Sequence, residues 1–163
     1  MKLFQKIATP CIGVCSTGIG DSVCRGCKRF DYEVIQWNGF DETQKQAIDE
    51  RLDRLLSGVV ARYLELFDSA QLAQQLKLQQ LRYAAYRDPY CWLFELLRAG
   101  ASQIDKPSQY GFTIRPGYQH INLVDVRDMI DHEYYLLSVA HYERYIVANR
   151  RRARHASGMG ETR

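Results

Sequence analysis

The sequence predicts a mainly α protein in which a small N-terminal four-cysteine metal or cluster module, residues 1–40, is packed on a helical body, residues 41–163, with room for one β-hairpin near 111–124. Three observations carry this. Four of the five cysteines fall within residues 11 to 27. Beyond them, apolar residues recur at three- and four-residue steps, the period of a helix with one buried face. Start and stop signals bracket those stretches. A chain of 163 residues suits one ordinary domain, or a small module joined to a larger body. With 46% hydrophobic and 25% charged residues it matches folded globular chains, so disorder and collagen-like repeats are excluded. No run approaches the roughly 18 apolar residues of a membrane span. The basic start, Met1 to Lys6, is interrupted by Gln5, Lys6 and Thr9 before it reaches signal-peptide length, and the reading is a cytoplasmic protein.

The cysteines lie in PCIGVCSTGIGDSVCRGC, residues 10–27, with the spacing C-x3-C-x8-C-x2-C. In a reducing cytosol thiols stay open, so two disulfides are the lesser expectation and metal or cluster ligation by Cys11, Cys15, Cys24 and Cys27 is the greater. Each close pair presents two sulfurs from one turn, and the eight-residue loop brings the second pair back to face the first. Gly13, Gly18, Gly20 and Gly26 stand where such turns need a residue free to take positive φ, or backbone N–H groups aimed at sulfur. Ile12, Val14, Ile19 and Val23 interleave with the ligands and are expected to form a dry shell. A C-x2-C pair with glycine beside its second cysteine suits a structural zinc ion, while four thiolates equally hold an iron-sulfur cluster. Charge does not separate the two, since each leaves a site of about −2 that Arg25, Lys28 and Arg29 would offset.

The run PCIGVC…CRGCKRFDYEVIQWNGFDETQKQAI resembles the small bacterial YdhL-type family of predicted iron-sulfur proteins, a domain of unknown function. Cys11, Cys15, Cys24, Cys27, Gly26 and Trp37 match its pattern over about residues 9 to 56. The resemblance implies an iron-sulfur cluster on the four cysteines and names no reaction.

The first long helix is predicted to start at Phe40-Asp41-Glu42-Thr43-Gln44, with Asp41 as N-cap and Gln44 completing a capping box. Its stripe runs from Ile48 through Leu52, Leu55, Leu56, Val59, Val60, Tyr63 and Leu64 to Phe67, with Gly58 as a candidate bend. Trp37 is read as packing over the site or the foot of this helix. Residues 71–87 are rich in Gln and in Leu at helical steps, without Pro or Gly, which predicts a second helix. Asp88-Pro89 then caps YCWLFELLRAG, apolar almost all round and ending at Gly100; Cys91 within it is read as a small core residue. Residues 101–110 read as a loop. Phe112 and Ile114, then Ile121 and Leu123, alternate as strands around Pro116-Gly117. A last helix is expected from Val126 to Arg154, with Ile130, Tyr134, Leu137, His141 and Tyr145 on one stripe.

No catalytic constellation is legible. His132 and His141 are nine residues apart and lie on opposite faces of one helix, and zincin, nucleophile-elbow, phosphate-loop and dinucleotide motifs do not occur. From His141 to Arg163 six Arg oppose two Glu, a local +4 in a chain of net +3. Arg150, Arg151, Arg152 and Arg154 are therefore candidate nucleic-acid contacts, set against a solvated helix end. Two functions follow as expectations. One is an iron-sulfur protein carrying electrons or serving an unidentified protein partner. The alternative is a structural-zinc adaptor that binds protein or RNA. Neither reading involves a membrane.

Overall fold

The computed structural model describes residues 6–158. The basic start from Met1 to Gln5, and Glu161 and Arg163, lie outside the described residues. The chain divides into two compact units that do not follow its order: one comprises the described residues of Met1–Lys45 and Tyr135–Arg163, the other Gln46–Tyr134. Its make-up is mainly helical, as the apolar periodicity requires.

In the first unit, Val23 and Phe30 form an antiparallel bridge around the tight turn that carries Cys24 and Cys27. The turn is closed by Cys24 N–H donating to the Arg29 carbonyl and Lys28 N–H to the Cys24 carbonyl, both at 2.8 Å. Lys28 takes a left-handed φ of 63° to make this closure. Helix α1, Asp31–Gln36, follows, its start fixed by Glu33 accepting from Phe30 N–H at 2.8 Å. Trp37–Gly39 is a 3-10 turn. Beneath the cysteine turn Val23 and Phe30 pack with Tyr142, joined by the half-buried Tyr32, Tyr135, Val139, Ile146 and Val147. Phe30 meets the Tyr142 ring edge-on at 5.2 Å and tilts against His141 at 5.9 Å.

Helix α2 spans Glu42–Tyr63, and its capping box is the expected one: Gln44 N–H donates to Asp41 at 2.8 Å and Asp41 N–H to Gln44 at 3.0 Å. It ends four residues before the predicted stripe does. Leu64–Leu66 is strand β1, and Phe67 beyond it is exposed. Helix α3, Ser69–Leu78, is capped by Asp68, which accepts from Gln71 N–H at 2.9 Å. The helix expected to 87 stops there, because Gln80 turns left-handed at φ 55°. Helix α4, Pro89–Gly100, has the predicted bounds, with Asp88 accepting from Tyr90 N–H at 2.9 Å. Its Leu93 and Leu97 are wholly buried, as are Leu64, Leu72, Leu76, Phe112, Val126 and Ile130 of the same unit.

A two-stranded antiparallel sheet is present, and Phe112–Ile114 is one of its strands, β2. The other is not at Ile121 and Leu123 but at β1, in the register Leu64 to Ile114 and Leu66 to Phe112. Asn122 instead caps a helix, accepting from Asp125 N–H at 2.9 Å, so Leu123 opens α5, Leu123–His141. The last helix therefore starts earlier than Val126. It is also broken in register by a π-helical stretch, Tyr142–Val147, before α6, Ala148–Gly158.

Candidate metal centre

Two short segments of the first unit bring the cysteines forward, and they face each other through backbone. Gly13 sits between Cys11 and Cys15 at φ 86°, a conformation that lets its N–H turn back to the Cys11 sulfur at 3.4 Å. Gly26 sits between Cys24 and Cys27. A Cβ placed on it would collide with the Val14 carbonyl oxygen and press on Ile12 Cγ1 at 3.1 Å, so only glycine lets the two segments close on one another. Two further bonds stitch them. Cys24 Sγ lies 3.6 Å from the Val14 carbonyl oxygen, and Arg25 N–H donates to Ser16 Oγ at 2.8 Å.

The four sulfurs differ in setting. Cys24 and Cys27 are buried, whereas Cys11 and Cys15 are exposed; all are free thiols. Burial alone would raise the Cys24 pKa, yet N–H groups of Cys27, Ser16 and Gly26, with the Cys27 thiol as a further donor, bring it down to about 7. Cys27 shifts the other way: burial pushes it up, against the Arg29 guanidinium, whose Nε donates to its sulfur at 3.3 Å. Arg29 in turn lies over Trp37 at 4.9 Å, and Trp37 is itself buried, so this ring backs the site through the guanidinium. Cys15 Sγ pairs with Thr17 Oγ1 at 3.1 Å. Among the described residues no three His, Cys, Asp or Glu side chains are gathered in ligand geometry. The structure thus brings Cys24 and Cys27 together and sets the Cys11–Cys15 segment beside them, with its two thiols turned to local partners.

The donor set is of the kind a thiophilic metal takes: four free thiols on two facing segments, two of them buried. The expected shell does not form, because Val23 is buried while Ile12, Val14 and Ile19 are exposed by 40%, 62% and 85%. Their loop is too short and glycine-rich to fold those side chains inward. Of the expected counter-charges, Arg29 reaches sulfur directly. Lys28 is buried and donates from Nζ to the Arg25 and Gly26 carbonyls at 2.6 and 3.1 Å, bracing the turn from behind. Arg25 turns outward to Asp21 at 3.0 Å and covers the Tyr135 ring. Ser16 and the Val14 carbonyl were not legible as site groups; their only signal was a place between the cysteines.

Elsewhere, Cys91 donates to Asp53 at 3.0 Å, and burial with that carboxylate pushes its thiol far up, as a packed core residue requires. His132 is exposed, and the neighbouring Glu133 is taken up by Arg62 and by Tyr63 OH. His141 rests in ring contacts with Phe30 and Tyr145. Arg150, Arg151, Arg152 and Arg154 are exposed on α6. No helix among the described residues is long and apolar enough to cross a membrane. No curated protein and no solved structure matches the chain. Residues 9–55, which carry both cysteine pairs and Trp37, match the family described as protein of unknown function (DUF1289).

Proposed function

We propose that this chain is a metal-binding accessory protein whose site is formed by Cys11, Cys15, Cys24 and Cys27. The observation that carries the reading is the closure of the Cys11–Cys15 segment on the Cys24–Cys27 turn, where Gly26 packs against the Val14 carbonyl and Arg25 N–H donates to Ser16 Oγ at 2.8 Å. Holding two cysteine pairs on facing segments has little use for merely packed cysteines and direct use for ligands of one metal or cluster. Cys24 and Cys27 provide the fixed half of the site; Cys11 and Cys15, on an exposed segment, close it. Lys28 and Arg29 offset the thiolate charge.

The C-x2-C spacing of Cys24 and Cys27 on one tight turn, with Gly26 beside the second cysteine, favours a single ion, whose tetrahedral thiolate ligands stand about 4 Å apart. A bound zinc would contribute folding energy to the module. The second reading is an iron-sulfur cluster, favoured by the position-by-position resemblance of Cys11, Cys15, Cys24, Cys27, Gly26 and Trp37 to the predicted iron-sulfur family. A cluster would supply one-electron chemistry to a protein partner. Both readings suit a reducing compartment such as the cytoplasm, where five free cysteines persist.

Metal and acid-labile sulfide analysis, with an absorption spectrum, on protein purified without oxygen is the test. One zinc per chain in colourless protein supports the single ion, and brown protein with iron and sulfide supports the cluster. Protein with neither, and with unchanged folding in excess zinc or under cluster reconstitution, rejects the metal centre.

A further inference from the structure

The first unit carries a second surface that metal binding does not use. Its α6 presents Arg150, Arg151, Arg152 and Arg154, all exposed, and Arg144 is exposed one segment earlier. From Tyr142 to Ser157 the sole acidic residue is Glu143, so these five guanidinium groups stand in a field of one sign. Among the described residues no ion pair engages Arg151, Arg152 or Arg154; Arg150 is steadied by the Tyr142 hydroxyl at 3.3 Å. Over the ten residue steps from Arg144 to Arg154 the charges extend roughly 15 Å along a helix. Arg150 and Arg154 share one face while Arg151 and Arg152 stand about 100° and 200° round from Arg150, so this helix is cationic on several sides.

The end of this cationic stretch adds an aromatic platform. Tyr145 is 49% exposed; its ring is tilted at 45° to the His141 ring at 4.6 Å, and the Arg144 guanidinium lies over it, 5.7 Å from its centroid. It stands on the π-helical stretch Tyr142–Val147, whose changed register carries it off the stripe that Ile130 and Tyr134 bury. A half-exposed tyrosine flanked by arginines offers ring surface to a base, and the guanidinium groups beside it accept phosphates.

We propose that α6 with Tyr145 is a binding surface for single-stranded nucleic acid, the arginines tracking the backbone and Tyr145 stacking a base. A membrane surface fits less well, because Ala148 to Ser157 offers no large apolar side chain to enter a bilayer. An acidic protein would use the charge but leave the platform idle. The metal reading and this one stand on different residues, so either can fail alone.

The test uses the full chain and a fluorescein-labelled mixed-sequence 20-nucleotide RNA, with heparin and phosphatidylserine vesicles as competing polyanions. Binding is followed by anisotropy between about 50 and 200 mM salt. The expected result is salt-sensitive binding whose log–log slope falls in magnitude by about 2 in the triple variant Arg151→Ala, Arg152→Ala, Arg154→Ala, at about 0.7 per lost phosphate contact. Tyr145→Leu is expected to weaken binding by about fivefold to a hundredfold, and Tyr145→Phe to keep it. Metal content and thermal melting serve as folding controls in each variant. Absence of binding at about 50 mM salt overturns the proposal. So does an affinity indifferent to the arginines. Equal loss for heparin and RNA with no effect of Tyr145→Leu reduces the surface to an unspecific cation patch, and vesicle binding without RNA binding assigns it to membranes; both outcomes reject it as well.

Discussion

The two compact units are held together by different means. In Gln46–Tyr134 the interior is mainly aliphatic: Val60, Leu64, Leu72, Leu76, Leu93, Leu97, Phe112, Val126 and Ile130 have essentially no exposure. Its buried ion pair, Asp49 with Arg87, keeps the guanidinium protonated against the cost of burial. In the other unit the small core of Val23, Phe30 and Tyr142 is ringed by half-buried tyrosines, and Lys28, Arg29 and Glu33 are buried beside it. Ile12, Val14, Ile19 and Ile35 face solvent there. A unit with so few apolar contacts gains order from specific bonds, and the proposed thiolate-bound metal would be the strongest of them.

The largest expected effect breaks the comparison at that point. Cys24→Ser should abolish stoichiometric metal binding and unfold the cysteine turn, while the aliphatic unit keeps its structure. Hydrogen exchange read by mass spectrometry separates the two: peptides spanning residues 10–40 should lose protection, and peptides across α4 should keep it. Equal loss in both, or in neither, would show that the metal is not what the first unit depends on.

Two smaller substitutions compare packing with fit. Leu97→Ala removes a side chain of zero exposure from α4 and should cost about 2–5 kcal/mol, read from denaturant unfolding of the aliphatic unit. Gly26→Ala leaves every apolar contact in place but sets a methyl against the Val14 carbonyl, which cannot swing aside as a side chain would. About 1–3 kcal/mol is expected in the first unit, with weaker metal binding, because the Cys11–Cys15 segment is pushed off the Cys24–Cys27 turn. Wild-type metal affinity in Gly26→Ala would mean that the two segments do not close together.

What the sequence disclosed follows the range of the forces involved. Asp88-Pro89 to Gly100, and the Asp41–Gln44 box, were readable to the residue because capping is settled within one turn. The cysteine spacing likewise disclosed the turn at 24–27. The partner of Phe112–Ile114 did not disclose itself, since its pairing with Leu64–Leu66 joins strands nearly fifty residues apart and each is only three residues long. Leu64 and Phe67 continue the helical period of α2, and the period alone could not report the change to a strand. Gln80 and Lys28 adopt left-handed φ where residue type favours neither. The π-helical register at Tyr142–Val147 has no composition signal, so Tyr145 was placed on the buried stripe and stands instead in solvent. At the candidate site the paired cysteines were legible and their unequal environments were not, because Cys24 and Cys27 are buried and Cys11 and Cys15 exposed only once the loop is folded.

The smallest effect separates the units by pH. Thiolate ligands compete with protons, so a metal-bound first unit should be labile on the acid side, releasing its metal as pH falls. The aliphatic unit should weaken on the alkaline side through Tyr63. Burial, with the hydrogen bond to Glu133 at 2.8 Å and that carboxylate's charge, pushes Tyr63 from about 10 up to about 12. A pKa raised in the fold means that the neutral phenol is the favoured form there. Its contribution is whole below the unfolded value and drains away as pH rises from about 10 to about 12, where the unfolded chain ionises first. Tyr63→Phe has nothing to ionise, so it should lose about 1 kcal/mol at neutral pH with the hydrogen bond and then decline less steeply than wild type above pH 10. Denaturant unfolding of both proteins at a series of pH values isolates this residue from the lysines and other tyrosines, which titrate alike in each. Parallel curves would remove Tyr63 as the alkaline limit, and a wild-type loss on the acid side without metal release would remove thiolate protonation as the other.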